Sequence, residues 1–228
     1  MLDQESLLAS SVVANCAMNR ERELIGSNGY SFELKFDIKV WLQQEIENRP
    51  LKWLDVCCGT GKALVEAAQI FDGSSHQNRL SITGIDLAGH FYSHSYPNLE
   101  LCKTSVETWD NECRFDLITI VHGLHYIGDK LGVIRNLANR LESEGVFLAN
   151  IDLANLKFSD GRSAGRAVLK RLRENGFRYD NKNRLITFAG GRKIDSFDFN
   201  YLGADDRAGP NFTGQPAVNS YYDVKPGP

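Results

Sequence analysis

From residue 52 onward the chain alternates short apolar runs with amphipathic ones. Trp53–Cys57 (WLDVC) is a strand-like run that enters a glycine turn, and Lys62–Phe71 (KALVEAAQIF) carries apolar residues at helical spacing. Leu80–Asp86 (LSITGID), Leu99–Thr104 and Phe115–Val121 (FDLITIV) predict further strands, the last apolar enough for the middle of a parallel sheet. Leu131–Leu141 (LGVIRNLANRL) predicts an amphipathic helix, and Gly145–Ile151 (GVFLANI) a fifth strand. Strands alternating with helices imply right-handed crossovers. The pattern therefore predicts an α/β fold, a doubly wound and mostly parallel sheet covered on both faces.

Both ends of the chain depart from this rhythm. Ser6–Ala17 and Phe36–Ile46 predict helices, the second stopping before Pro50, with a polar, glycine-containing connection (GSNGYSFEL) between them. Residues 1–48 are thus expected to form a helical cap or lid, and residues 49–228 the main domain. After a helix over Ser163–Asn175, the segment RLITFAG, the pair Gly190–Gly191 and the segment RKIDSFDFNYL predict strand, tight turn, strand. That is an antiparallel finish on the parallel sheet. From about residue 203 the chain reads as a loop laid over the domain.

Composition narrows the partners more than the fold. A formal net charge of −3 gives no general pull toward nucleic acid or an anionic membrane. The cluster Arg166, Lys170, Arg171 and Arg173 reads as a solvated helix face. The opening segment predicts no secretory signal, and no run of ~18 apolar residues suggests a membrane span. Five cysteines (Cys16, Cys57, Cys58, Cys102, Cys113) show no metal-ligand spacing, so no metal site is expected and thiols in a reducing cytoplasm are the simplest account.

The most specific chemical signal is Leu54-Asp55-Val56-Cys57-Cys58-Gly59-Thr60-Gly61, a strand that ends in a glycine turn and opens a helix. Glycines there let a ligand approach the backbone, and the carboxyl ends of the strands are where an open α/β sheet binds ligands. The turn is not a phosphate loop, since Val56 stands where the first glycine belongs and Ala63 where Ser or Thr should come next. Nor is it a full dinucleotide fingerprint, because the only glycine pair is Gly59-x-Gly61 and no glycine stands at the third position. Asp55 would face a pyrophosphate poorly and suits a cationic ammonium or sulfonium group. Asp86, at the end of the next strand, can accept hydrogen bonds from a ribose diol.

These residues resemble motif I of the class I, Rossmann-like S-adenosylmethionine-dependent methyltransferases, with Asp55, Gly59 and Gly61 matching and Cys57 replacing the first glycine. Thr104-Ser105-Val106-Glu107 occupies the place where an acid often meets the adenine amino group, and Ser105 stands where that acid usually is. FDLITIVHGLHYIGD is similar to the fourth-strand motif, with Leu124-His125 and Asp129 matching its Leu-His and trailing acid. The resemblance covers roughly residues 50–152. It implies S-adenosylmethionine as cofactor, S-adenosylhomocysteine as product, and a cofactor site of Asp55, Cys57, Gly59, Gly61, Asp86, Leu87, Ser105, Val106 and His122.

Methyl transfer is an in-line displacement that chiefly needs positioning and exclusion of water. A hydroxyl acceptor also benefits from a base, and His125, at the end of the fourth strand, is the candidate. Tyr30 and Tyr126 are expected to border the acceptor. His90, His94, Phe32, Tyr221 and Tyr222 read more simply as surface or packing residues, and Cys57 and Cys58 lack a histidine in the local pattern to make a nucleophile. The resemblance implies O-methylation of a small molecule, such as a specialised metabolite or modified peptide, by a monomer or homodimer. The alternatives are the same fold with cyclase or aminopropyl-transfer chemistry, or a non-catalytic cofactor-binding subunit.

Overall fold

The computed structural model describes residues 1–13 and 21–225. In chain order α1 (Gln4–Leu8), α2 (Tyr30–Leu34) and α3 (Ile38–Glu45) precede β1 (Leu51–Val56), α4 (Lys62–Phe71) and β2 (Leu80–Asp86). Next come β3 (Leu99–Lys103), β4 (Phe115–Ile120), α5 (Lys130–Ala138), β5 (Leu141–Asn150) and β6 (Leu156–Phe158). The chain continues with α6 (Gly165–Glu174), β7 (Arg178–Asp180), β8 (Leu185–Ala189), β9 (Phe199–Asp205) and β10 (Asn219–Val224).

Burial sorts the strands into centre and edge. β4 is buried at every position and β1 at all but Lys52, whereas β3 is buried only at Leu99. The main sheet accordingly has the order β3-β2-β1-β4-β5-β8-β7, with the first five strands parallel and β8 and β7 antiparallel. Successive strand side chains point to opposite faces, and helices cover both. Leu64, Ala67 and Ala68 of α4 join Ile38 and Leu42 of α3 against Trp53 and Ile82. Leu131 and Ile134 of α5 and Val168 and Leu172 of α6 close the other face over Leu54, Val56 and Ile118. The doubly wound, mostly parallel sheet predicted from the sequence is the fold. Because α3 shares this core, it is a covering layer of the sheet as much as a cap.

Several local expectations are corrected. The helix expected to run to Leu141 ends at Ala138, because Phe115 N–H donates to Arg140 O (2.8 Å) and Leu141 pairs opposite Phe115, which recruits these residues to β5. The supposed connection GSNGYSFEL contains α2, formed because Tyr30 and Leu34 both bury against the core. At the other end of the N-terminal region, α1 stops at Leu8; the rest of the Ser6–Ala17 expectation lies partly outside the described residues.

The Gly190–Gly191 pair makes no hairpin. Gly190 N–H donates to Gly145 O (2.8 Å), and a Cβ on Gly190 would lie 1.9 Å from Glu142 O. Glycine there lets β8 end hard against the start of β5. The hairpin of this region is instead β7–β8. The C-terminal segment is also less loop-like than expected: β9 and β10 join β6 in a second sheet of order β6-β10-β9, and Leu2 bridges to Ala204 on its edge. Among the described residues no helix is long and apolar enough to cross a membrane.

Candidate active site

The turn after β1 departs from ordinary backbone at Cys57, whose φ of 58° is the left-handed region that favours glycine. A non-glycine residue there is strained, and its neighbour makes room. A Cβ on Gly123, after β4, would sit 2.5 Å from Cys57 Cβ. His122, at the end of β4, is also left-handed (φ 59°), so two strained residues flank the crevice between β1 and β4. Gly61 acts from behind: it begins α4 with φ 73°, and a Cβ there would strike Leu101 Cδ1 at 2.9 Å. Its role in the turn is close packing of helix on sheet, and it does not line the cavity.

Over this crevice lies a cavity of about 370 Å³. Of the residues expected at the cofactor, Cys57, Gly59, Asp86, Leu87, Ser105, Val106 and His122 line it, as do Tyr30 and Tyr126. Asp86 is pinned: its carboxylate accepts from Gly59 N–H (3.0 Å) and Ala88 N–H (2.9 Å), so one side chain ties the β2 loop to the β1 turn.

Asp55 does not reach the cavity. It is fully buried one layer below, where it accepts hydrogen bonds from Tyr30 Oη (2.6 Å) and from the Thr119 hydroxyl, itself held by Trp53 Nε1 (2.8 Å). The expected contact between Asp55 and a cationic ligand is thereby corrected: the carboxylate anchors α2 to the sheet through Tyr30. Burial pushes its carboxyl up to about 7, against the two hydroxyls that favour the charged form. A carboxyl whose folded value exceeds the unfolded one stabilises most when protonated, so this contribution is lost as pH rises from about 4 to about 7. Asp55→Asn is expected to flatten the pH dependence of thermal unfolding across that window. An unchanged slope would show that Asp55 does not titrate there.

His125, the expected base, is also displaced. It is 0% exposed, does not line the cavity, and packs edge-on against Phe212 (ring centroids 5.2 Å apart). Burial first, then the neighbouring His122, Lys130 and Arg184, holds its imidazole well below the usual histidine value. The physical reason is the turn at His122, which sends the next segment, the 3₁₀ turn Gly123–Tyr126, back into the core. His125 O then accepts from Val218 N–H (2.8 Å), joining this segment to the second sheet.

The ends of the chain supply lining residues that local pattern did not reveal. Leu8, Val13 and Arg22 come from the N-terminal side, and Thr213 and Gln215 from the loop between β9 and β10. Arg22 Nη1 reaches Glu33 Oε1 (2.7 Å) and Asn28 Oδ1 (2.8 Å). Glu33 Oε2 in turn lies 2.9 Å from His122 Nε2. Burial alone would raise the Glu33 carboxyl, but His122 and Arg22 outweigh it and hold it below its usual value. Glu107 also lines the cavity, two residues beyond Ser105 in the motif already singled out; burial raises its carboxyl, and it accepts from Asp129 N–H (3.1 Å).

The remaining candidates fall into structural roles. Tyr222 is buried and donates to Asp129 Oδ1 (3.1 Å), Tyr221 donates to Asp205 Oδ2 (2.7 Å), and Phe32 lies exposed beneath Lys35. His94 stacks on Tyr96, while His90 lines the cavity. Cys57, Cys58, Cys102 and Cys113 form no disulfide, and Cys16 lies outside the described residues.

A family model described as a methyltransferase domain matches residues 35–195. No curated protein matches. Among solved structures, the plantazolicin methyltransferase BpumL, in complex with a pentazolic desmethylPZN analog and SAH, is similar at 15% identity and a TM-score of 0.42, over 64% of this chain and 51% of its own. Coclaurine N-methyltransferase, bound to N-methylheliamine and SAH, is similar at 12% identity and a TM-score of 0.39, over 49% of this chain and 34% of its own. StiE O-MT residues 942–1257 are similar at 15% identity and a TM-score of 0.37, over 49% and 40%. The chain thus spans about half the length of the first of these structures.

Proposed function

The chain belongs to the methyltransferase-domain family, the class I kind its glycine turn resembles, and on that premise we propose that it transfers the methyl group of S-adenosylmethionine to a hydroxyl oxygen of a small molecule. The observation that carries this reading is the chemistry of the cavity lining. A buried carboxylate, Asp86, and the Arg22 guanidinium open onto one space with apolar Leu87, Val106, Val121 and Ile127. A ribose diol, an α-carboxylate and an adenine with a thioether find their complements there.

On this reading Asp86 accepts from the ribose hydroxyls while Gly59 and Ala88 hold it in place. Arg22 receives the methionyl carboxylate, and Ser105 and Glu107 stand for the adenine edge. When bound, S-adenosylmethionine supplies an electrophilic methyl group on a sulfonium. The protein's part is to orient donor and acceptor and exclude water. Leu8 and Val13 on one side and Thr213 and Gln215 on the other enclose the space, which favours a small molecule or an exposed peptide side chain, such as a specialised metabolite or modified peptide.

The test is incubation of the full chain with methyl-labelled S-adenosylmethionine and small hydroxyl compounds, monitoring label and by-product. Label on oxygen with stoichiometric S-adenosylhomocysteine is the expected outcome. Methylthioadenosine as by-product would replace the reading with 3-amino-3-carboxypropyl transfer, the aminopropyl-type chemistry that this donor can supply.

A further inference from the structure

We propose that the acceptor is an uncharged hydroxyl compound bearing an amide or carbonyl group, and that Gln215, on the loop between β9 and β10, selects it. This rests on the methyl-transfer reading and names the substrate class which that reading leaves open. The segment Gly209-Pro210-Asn211-Phe212-Thr213-Gly214-Gln215-Pro216 sets prolines and glycines around a few polar residues, the chemistry of a tight turn. Asn211 closes that turn. Its N–H donates to Gln215 O (2.7 Å), its carbonyl accepts from Gly214 N–H (2.9 Å), and its Oδ1 accepts from Thr213 N–H (2.7 Å) and Thr213 Oγ1 (2.6 Å). At the base Ala217 N–H donates to Gly209 O (3.1 Å), and Gly214 supplies the positive φ (79°) of the reversal.

The loop is also tied down from outside. Phe212 packs on His122 and His125, with ring centroids 5.6 and 5.2 Å apart, and the Arg184 guanidinium lies 4.7 Å from the Phe212 ring. Arg184 is itself paired with Asp152 (2.6 Å). Held in this way, the loop contributes Thr213 and Gln215 to the cavity wall. The Thr213 hydroxyl already donates to Asn211, whereas among the described residues no hydrogen bond engages the Gln215 carboxamide. An amide can donate and accept at once. One carried by a loop fixed through its own hydrogen bonds loses little freedom when a ligand binds.

Charge decides the acceptor's class. Three carboxylate or guanidinium side chains line the cavity, Arg22, Asp86 and Glu107, and on the reading above each serves the cofactor. Of the two lining histidines, His90 belongs to the loop that carries Asp86, and His122 has Glu33 2.9 Å away to balance any charge on it. What remains for the acceptor is the apolar surface of Leu8 and Val13 beside Tyr126, and the neutral amide of Gln215. A charged group entering there would lose its water without gaining a partner, which is costly. A hydroxyl compound with a neutral amide or carbonyl instead exchanges water for Gln215.

The test titrates the full chain, saturated with S-adenosylhomocysteine, with three near-isosteric probes followed by ligand-observed NMR at neutral pH. They are 4-hydroxybenzamide, uncharged, 4-hydroxybenzoate, an anion, and 4-hydroxybenzamidine, a cation. The benzamide is expected to bind about tenfold or more tighter than either ion. Gln215→Leu is expected to weaken the benzamide by about threefold to tenfold and to leave S-adenosylhomocysteine affinity as it was. Gln215→Glu is expected to move the preference to the benzamidine, because a carboxylate then faces the acceptor. Equal binding of the three probes, preference for an ion, binding of none, or an unchanged ranking in Gln215→Glu overturns the proposal and leaves the methyl-transfer reading standing. Equal weakening of the benzamide and S-adenosylhomocysteine in Gln215→Leu also overturns it, since Gln215 would then belong to the cofactor. Absence of S-adenosylhomocysteine binding in the unmodified protein instead overturns the methyl-transfer reading beneath it.

Discussion

Lys130→Met is expected to cost about 3 kcal/mol or more, since it strands the partners of a buried charged donor. Lys130 is 0% exposed, and its ammonium donates to Ile127 O (2.8 Å), Val218 O (2.9 Å) and Ser220 Oγ (2.7 Å). Ser220 Oγ donates onward to Gly128 O (2.6 Å), so it can only accept from the lysine. All the protons of the ammonium are therefore used, and they hold β10 to the segment after β4. Methionine fills a similar volume but leaves the carbonyls and hydroxyl without a donor. For a chain of this size the melting temperature should fall by roughly 6–12 °C, and amide exchange should quicken first in β10. A drop near 1 kcal/mol, or uniform loss of protection, would mean the second sheet does not depend on this clasp.

Asp86→Ala is expected to weaken S-adenosylhomocysteine binding by about 2–3 kcal/mol, roughly 30- to 150-fold in dissociation constant. The carboxylate does two things at once. It accepts from Gly59 and Ala88 backbone N–H groups, and it lines the cavity. Alanine therefore frees the glycine turn as well as stranding the ribose hydroxyls. Asp86→Asn separates the two effects, since its amide oxygen keeps one of the backbone donors while the opposing NH₂ cannot accept. Binding measured calorimetrically for both variants decides the matter. Affinity unchanged in Asp86→Ala would place the ribose elsewhere.

The features legible in the sequence are those decided locally. β4 is recognisable as a central strand because burial on both faces leaves it mostly apolar, its one charged residue, Asp116, being paired with Arg49. The β1 turn is recognisable because Gly59 and Gly61 adopt positive φ where a strand must turn sharply into a helix. Asp86 is recognisable from its place at the end of β2.

The parts that stayed hidden are set by partners distant in sequence. β9 and β10 alternate only weakly, and their pairing depends on β6, some sixty positions earlier in the chain than β10. Arg22 reaches Glu33, and Glu33 lies beside His122, residues far apart in the chain, which no spacing rule encodes. Both His122 and His125 carry the same chemistry in the sequence. The chain turns at the left-handed backbone of His122, and His122 lines the cavity while His125 is buried in the core. Asp55 illustrates the reverse case: the sequence marked the right residue, and Tyr30 takes up the carboxylate expected to face the ligand.

The central claim is that the cavity above Cys57 and Gly59 is built for S-adenosylmethionine. Calorimetric titration of the full chain with S-adenosylhomocysteine, with NAD in a parallel cell, tests it most directly. The account predicts micromolar binding of S-adenosylhomocysteine and none of NAD. Binding of NAD alone, or of neither ligand, would contradict it.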